Sequence, residues 1–451
     1  MLTRQDIARF YFPLVLTSQM MTLAGPVINI GVGRSLDPTL DFAAYWLAFS
    51  VLLFIESPCL SVQQVGVTLL DGFESFRRVA IVSIASGVLA TLTVLAVALT
   101  PIGDWVFGQL IPTTDRVSDL AREVLALQAL VPVFISIRGV ANSLAIRSKQ
   151  TAWIARATVL RLIGLSAVVA IGVFLETGSG AKAGATALVV GIGLETLAIS
   201  FSVRSVAREW YAKRVSSRGS LPYGNLIRVA TPLLVAAFAW TLLRPIINAL
   251  LGYLPDPERA QAGFGVIAPL ILVSCSPLWT MHNVSLVLPQ TPNDFRVVAR
   301  FAVATAAFFT SVILIFAFTP LQHWLFDSVY NLSPILQEDV KIAFRWVALE
   351  PAILTVRSLA QGLLMKAKRT GPLMTFAPGK IAILLLVGLP AAQRVDVEHG
   401  VLLGTLLYIL SDTWDAVVFS WKARQYAREG RVFQANSVPT APDLRKTHER
   451  V

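Results

Sequence analysis

Charge is scarce in this chain. Only 14% of its 451 residues are Asp, Glu, Lys or Arg, against ~25% in soluble domains. With 55% hydrophobic residues and a mean hydropathy of +0.66, that shortage excludes a soluble enzyme and a disordered chain. Cysteine is nearly absent: two residues exclude a disulfide scaffold and a thiolate metal cluster. Cys59 and Cys275 read as free thiols. The four histidines show no metal spacing, and His282, beside Asn283, reads as structural. A Walker A loop is missing, so ATP hydrolysis is not expected. Gly191-Ile192-Gly193 reads as helix packing rather than a nucleotide loop. Alternating strands of about ten residues are missing too, which argues against a transmembrane barrel. No cofactor, no metal and no catalytic group is implied.

What is abundant is apolar helix. Runs long enough to cross ~30 Å of hydrocarbon recur at 8–32, 41–70, 78–100, 118–146, 153–175, 182–206, 224–252, 260–288, 297–318, 337–365, 372–391 and 398–422. The expected fold is an all-α polytopic membrane protein of twelve transmembrane helices. No cleavable signal peptide is expected: Met1–Phe10 carries Arg4, Asp6 and Arg9, and the apolar run after it is too long and lacks an A-x-A exit.

The net charge of +11 is an orientation signal. Arg77, Arg78, Arg147, Lys149, Arg208, Lys213, Arg214, Arg296, Arg300, Lys366 and Lys368 fall on one side, with both termini. The opposite loops hold Arg34, Arg116, Lys182, Arg259 and Arg394, mostly beside acids. Both termini are therefore expected in the cytoplasm, the chain in a plasma or bacterial inner membrane, and no nucleic acid as partner.

The two halves are one repeat. A shift of 219 carries Pro13, Pro26, Pro58, Pro101 and Pro132 onto Pro232, Pro245, Pro277, Pro320 and Pro351. It carries Asn29 onto Asn248, Arg138 onto Arg357, and Arg161 onto Lys380. Six spans per repeat keep the orientation, so the pseudo-two-fold runs along the membrane normal, as in transporters that rock two lobes about a cavity. The expected organisation is a first six-helix lobe at 1–206, a linker at 207–223, a second lobe at 224–425 and a disordered tail at 426–451. Pro26 and Pro245, with Asn29 and Asn248 one turn on, mark either bent gating helices or packing kinks in which Asn caps a freed carbonyl.

Ionisable groups inside spans cost ~2.5–3.5 kcal/mol each without a partner or water. Arg138, Arg161, Arg357 and Lys380 lie at matched depths and could face a shared axis as an anion-attracting set. Snorkelling to the interface is the alternative. Arg244 has Gly25 as its repeat mate, and that asymmetry marks it either for substrate or for a salt bridge. The substrate candidates are these five cations with Asn29, Asn248 and Gln361. Glu56, Glu350, Asp412 and Asp415 could carry a coupling ion or proton, or simply pair with the cations. Glu195 is a further charge within the sixth span.

Twelve spans in two parallel lobes, with these prolines and basic loops, resemble the MATE and lipid-flippase superfamily. Within it the chain resembles the progressive ankylosis protein (ANKH) family. The likeness is carried by Thr355-Val356-Arg357 with Gly362, Met365, Lys368 and Thr370, by Arg244-Pro245-Ile246 with Asn248, by Leu47-Ala48 with Ser50, Pro58 and Val65-Gly66, and by Asn29 with Gly31. Glu56 and Glu350 do not match family residues. The resemblance implies export of polyanions such as citrate, ATP or a pyrophosphate-related anion by alternating access. A MATE-type cation or drug antiporter coupled to H⁺ or Na⁺, and a lipid-linked pyrophosphate flippase, remain the competing readings. The expected partners are a small anion and the lipid bilayer, with the chain acting as a monomer.

Overall fold

A computed structural model describes residues 2–70, 72–148, 150, 152–175, 178–212, 223–367, 375–396, 399–429 and 432. Among the described residues every regular element is helical. Ten helices are long and apolar enough to cross a membrane, and a pair bent by 42°, Pro334–Val347 with Glu350–Lys366, makes eleven. The remaining expected span appears as Ala377–Ala392, 16 residues long. At 1.5 Å per residue that is ~24 Å, short of a full crossing within the described residues.

The spans in order are Arg4–Val32, Pro38–Leu69, Phe73–Leu99, Asp115–Arg147, Ala152–Phe174 and Gly180–Ala212 in the first half. The second half has Tyr223–Leu251, Pro257–Val287, Pro292–Phe318, Pro334–Lys366, Ala377–Ala392 and Gly400–Arg428. Two expected boundaries move. The sixth span stays helical to Ala212, past the predicted linker start at 207. The twelfth runs to Arg428, past the predicted tail start at 426. In both places the helix continues over residues that include Arg208 or Arg428. The linker residues 213–222 and the tail residues 433–451 lie outside the described residues.

At four of the breaks within spans a proline opens the new segment. The first splits between Thr22 and Ala24, the second between Ile55 and Ser57, the fourth between Leu127 and Val131, and the tenth between Val347 and Glu350. In each, the new segment carries its proline within its first three residues: Pro26, Pro58, Pro132 and Pro351. There the missing N–H is one the helix would leave unbonded anyway. The eighth span differs, since Pro269 and Pro277 sit inside a continuous helix that ends at Trp279. Pro277 frees the carbonyl of Val273, and Gln19 of the first span donates its Nε2 to it at 3.0 Å. A break inside one half is thus satisfied by the other half.

The repeat survives into local structure. Asp37 caps the second span by accepting from Leu40 N at 3.3 Å, and its mate Asp256 caps the eighth by accepting from Arg259 N at 3.1 Å. The third and ninth spans are unbroken, and each is followed by a short helical turn and a π-turn, Val106–Leu110 and Trp324–Val329. The halves meet mainly through the first and second spans of one against the seventh and eighth of the other. Outward faces stay apolar and exposed, as at Leu89, Phe201, Phe308 and Leu386, which is what a lipid solvent permits.

Candidate functional site

Three groups of buried polar side chains stand out. In the first half, Glu195 Oε2 accepts from Arg138 at 2.6 Å and Arg161 at 3.4 Å, while its Oε1 accepts from Thr158 at 3.1 Å. In the second half, Asp412 accepts from Arg357 at 2.6 Å, and Asp415 lies 2.8 Å from Lys380 and 3.3 Å from Arg357. All seven ionised side chains are at most 15% exposed. The four cations at matched depths therefore do not stand free as an anion cradle. Each is bonded to a carboxylate of the sixth or twelfth span of its own half. The reason is energetic: a guanidinium buried without a counter-charge costs more than the pair.

The two ion groups are themselves repeat mates. The shift of 219 places Glu195 on Trp414. One additional residue between Lys380 and Gly400 changes the shift to 220, which carries Gly180 onto Gly400, Gly184 onto Gly404 and Glu195 onto Asp415. Each half is thus built on two cations and one shared acid. Glu56, Glu350 and Asp412 have no acidic mate. Glu56 is buried within electrostatic reach of Arg138 and Arg161, with its Oε2 unbonded. Glu350 is buried against Asp412. Gln361 is half-buried on the tenth span and joins neither group.

Arg244 is the exception among the buried cations. It is 8% exposed, and its guanidinium lies 5.8 Å from the Trp46 ring and 5.7 Å from the Phe49 ring. Among the described residues no carboxylate pairs with it. It belongs to the seventh span and both rings to the second, so the contact spans the two halves. Trp46 is held in turn: its indole N–H donates to Asn29 Oδ1 at 2.8 Å. Asn29 is fully buried and its amide oxygen is taken up by Trp46, so it does not line open space. Asn248 is buried and offers its backbone carbonyl to Gln261 at 3.2 Å. The Arg244–aromatic contact was not legible in the sequence, because Trp46 and Phe49 read there as ordinary span residues.

On one side of Arg244 the halves are sealed. Gly33 and Gly252 are repeat mates, and each backs onto the opposite half. A Cβ at Gly33 would lie 1.7 Å from Tyr330 O, and one at Gly252 would lie 2.0 Å from Pro112 O. Only glycine fits such an approach. Asn331, in the left-handed region at φ 50, donates to Gly33 O at 2.9 Å, and Gln261 donates to Pro112 O at 3.1 Å. Four cations at this end are paired with acids: Arg116 with Asp37, Arg259 with Asp339, Arg122 with Asp104 and Lys182 with Glu123. At the end carrying the termini, the first span crosses to the other half. Tyr11 donates to Pro277 O at 2.9 Å, beside Ile7, Met281 and Val284. His282 bonds the Trp279 carbonyl through its ring at 2.5 Å, and Cys59 and Cys275 are buried free thiols.

Comparison with known proteins agrees with this architecture. A multidrug resistance MATE family transporter of the MOP superfamily, in an inward-facing conformation, superposes with a TM-score of 0.73 at 15% identity, covering 94% of this chain and 99% of that one. An outward-facing conformation of such a transporter gives 0.58 at 16% identity, covering 94% and 95%. A MOP superfamily transporter from Pyrococcus furiosus, described by the reverse polarity of its binding pocket, gives 0.57 at 15% identity, covering 95% and 96%. The lipid II flippase MurJ gives 0.59 at 13% identity, covering 94% of each. The family model of the progressive ankylosis protein (ANKH) matches residues 3–189, the first lobe with Trp46, Phe49, Arg138 and Arg161. That match covers less than half of the chain, while the fold of the whole chain is similar to that of the solved MOP superfamily transporters.

Proposed function

We propose that the chain is a secondary transporter that exports a small organic or phosphate-bearing anion by alternating access of two lobes, 1–206 and 224–425. One observation carries the anion preference: Arg244 lies buried between the lobes on Trp46 and Phe49, with no carboxylate partner among the described residues. Ring faces compensate a cation by ~0.5–2 kcal/mol, less than the several kcal/mol of its desolvation. A carboxylate or phosphate arriving between the lobes completes the compensation, and the guanidinium fork binds it bidentately. The buried cations Arg138, Arg161, Arg357 and Lys380 are already neutralised, so Arg244 supplies the attraction. Citrate-, nucleotide- and pyrophosphate-like anions all fit that chemistry.

Rocking of the lobes then exchanges the sealed end for the open one. In this reading the termini are cytoplasmic, the Gly33–Tyr330 and Gly252–Pro112 contacts form the outer seal, and the molecule faces inward. The better superposition on an inward-facing relative supports this. Both lobes and Arg244 belong to one chain, so a monomer holds the whole path. A cation antiporter is the second reading, favoured by the acidic excess of Glu350, Asp412 and Asp415 in the second lobe. Proteoliposomes loaded with labelled citrate or pyrophosphate, and in parallel with ethidium, separate the two. Anion flux that falls at least tenfold in Arg244→Gln is the expected result. Ethidium flux with no anion flux, or anion flux unchanged in Arg244→Gln, overturns the proposal.

A further inference from the structure

The repeat extends past the ion groups to the ends of the sixth and twelfth spans, where it places a basic stripe on the lobes' outer faces. The shift of 220 carries Ser200, Arg204, Arg208 and Glu209 onto Ser420, Arg424, Arg428 and Glu429. Serine and the two arginines recur every fourth residue, so they form one stripe along each helix. Each stripe borders a groove. In the second lobe it holds about 1050 Å³ between the tenth and twelfth spans, walled by Ile353, Val356 and Val417 and edged by Ser420, Arg424 and Arg428, with Glu429 at its end. In the first lobe it holds about 470 Å³ across the fourth span, walled by Ile84, Ile137 and Val203 and edged by Ser200, Arg204 and Arg208. Ile137 and Val356 are themselves repeat mates.

These grooves do not belong to the space between the lobes, since the fourth, sixth, tenth and twelfth spans make their main contacts within their own lobe. The walls are exposed and apolar: Val356 is 50% and Val417 62% exposed, which inside a span means contact with lipid. Among the described residues none of the four arginines is paired with a carboxylate. Arg204 lies over Phe201 at 5.2 Å, Trp421 carries Lys422 over its ring, and Glu429 accepts from Gln425. An apolar slot that opens, at the membrane surface, onto two unpaired arginines and an aromatic residue matches one amphiphile in charge and shape.

We propose that each lobe binds one anionic phospholipid in this groove, its acyl chain along the apolar wall and its phosphate on Arg204 and Arg208, or on Arg424 and Arg428. The lipids lie in the leaflet at the end of the molecule that carries the termini. The arrangement repeats by the pseudo-two-fold, so the stoichiometry is two per chain.

Native mass spectrometry of the full chain in detergent, titrated with dioleoyl phosphatidylglycerol or dioleoyl phosphatidylcholine, tests this. Two phosphatidylglycerol adducts should form where phosphatidylcholine gives none. Arg424→Gln with Arg428→Gln should remove one adduct and leave the other. At about fivefold per surface arginine, the lost site should weaken about 30-fold. The fourfold glutamine variant should lose both, and sn-glycerol 3-phosphate without chains should not bind. Each two-residue variant keeps the test valid if the fourfold one does not fold. Equal binding of the two lipids, two tight adducts in the fourfold variant, or a chain dimer that covers the grooves without lipid overturns the proposal.

Discussion

Glu195→Gln tests the view that each lobe is organised around one shared acid. Glu195 is 4% exposed at its side chain and serves both Arg138 and Arg161. The amide keeps the size but removes the only carboxylate bonded to either guanidinium among the described residues. An uncompensated charge within a span costs ~2.5–3.5 kcal/mol, and breaking a buried pair costs ~3–5 kcal/mol. Glu56, within reach of both arginines, limits the loss, so about 3 kcal/mol is expected. Asp415→Asn should cost about half as much, because Arg357 keeps Asp412 at 2.6 Å and only Lys380 is orphaned. Combining Glu195→Gln with Arg138→Met and Arg161→Met should recover most of the loss, since apolar replacement of a whole buried ion group is close to neutral. Thermal unfolding of purified protein in detergent, followed by tryptophan emission, ranks the variants. A Glu195→Gln melt equal to the parent, or one less affected than Asp415→Asn, refutes the reasoning.

Gly33→Val and Gly252→Val should each prevent the sealed end from closing, because a Cβ there falls about 2 Å from backbone of the other lobe. Distances between spin labels on residues 36 and 332 should lengthen, and an unchanged distribution would show that this end is not a gate. Asn29→Leu should leave the buried Trp46 N–H unbonded at a cost of ~1–3 kcal/mol and lower anion flux with Arg244 intact. Unaltered flux would remove Trp46 from the site. Gln19→Met should strip the Val273 carbonyl of its partner and cost ~1–2 kcal/mol, with a detergent melt showing whether the two halves separate more easily.

Much of the architecture was legible in the chain. Apolar length placed the spans within a few residues, and Pro26 and Pro245, read as bends, each sit just inside a new segment that starts at Ala24 or Leu243. Depth along a helix is also a property of sequence, so Arg138, Arg161, Arg357 and Lys380 were placed inside spans, with burial and snorkelling both left open. Their partners were not. Pairing of Glu195 with two arginines depends on the packing of the fourth, fifth and sixth spans, and a single additional residue in the second half hid its likeness to Asp415.

Composition, periodicity and the repeat therefore settled, by themselves, a helical membrane protein of two similar halves. In hydrocarbon a backbone has few alternatives to helix, so hydropathy alone suffices for that. Which charges are spent on each other and which remains available was decided only by tertiary structure. Electrostatic compensation acts over a few ångströms between spans distant in sequence, and that proximity left Arg244 on two aromatic rings while its fellow cations found acids.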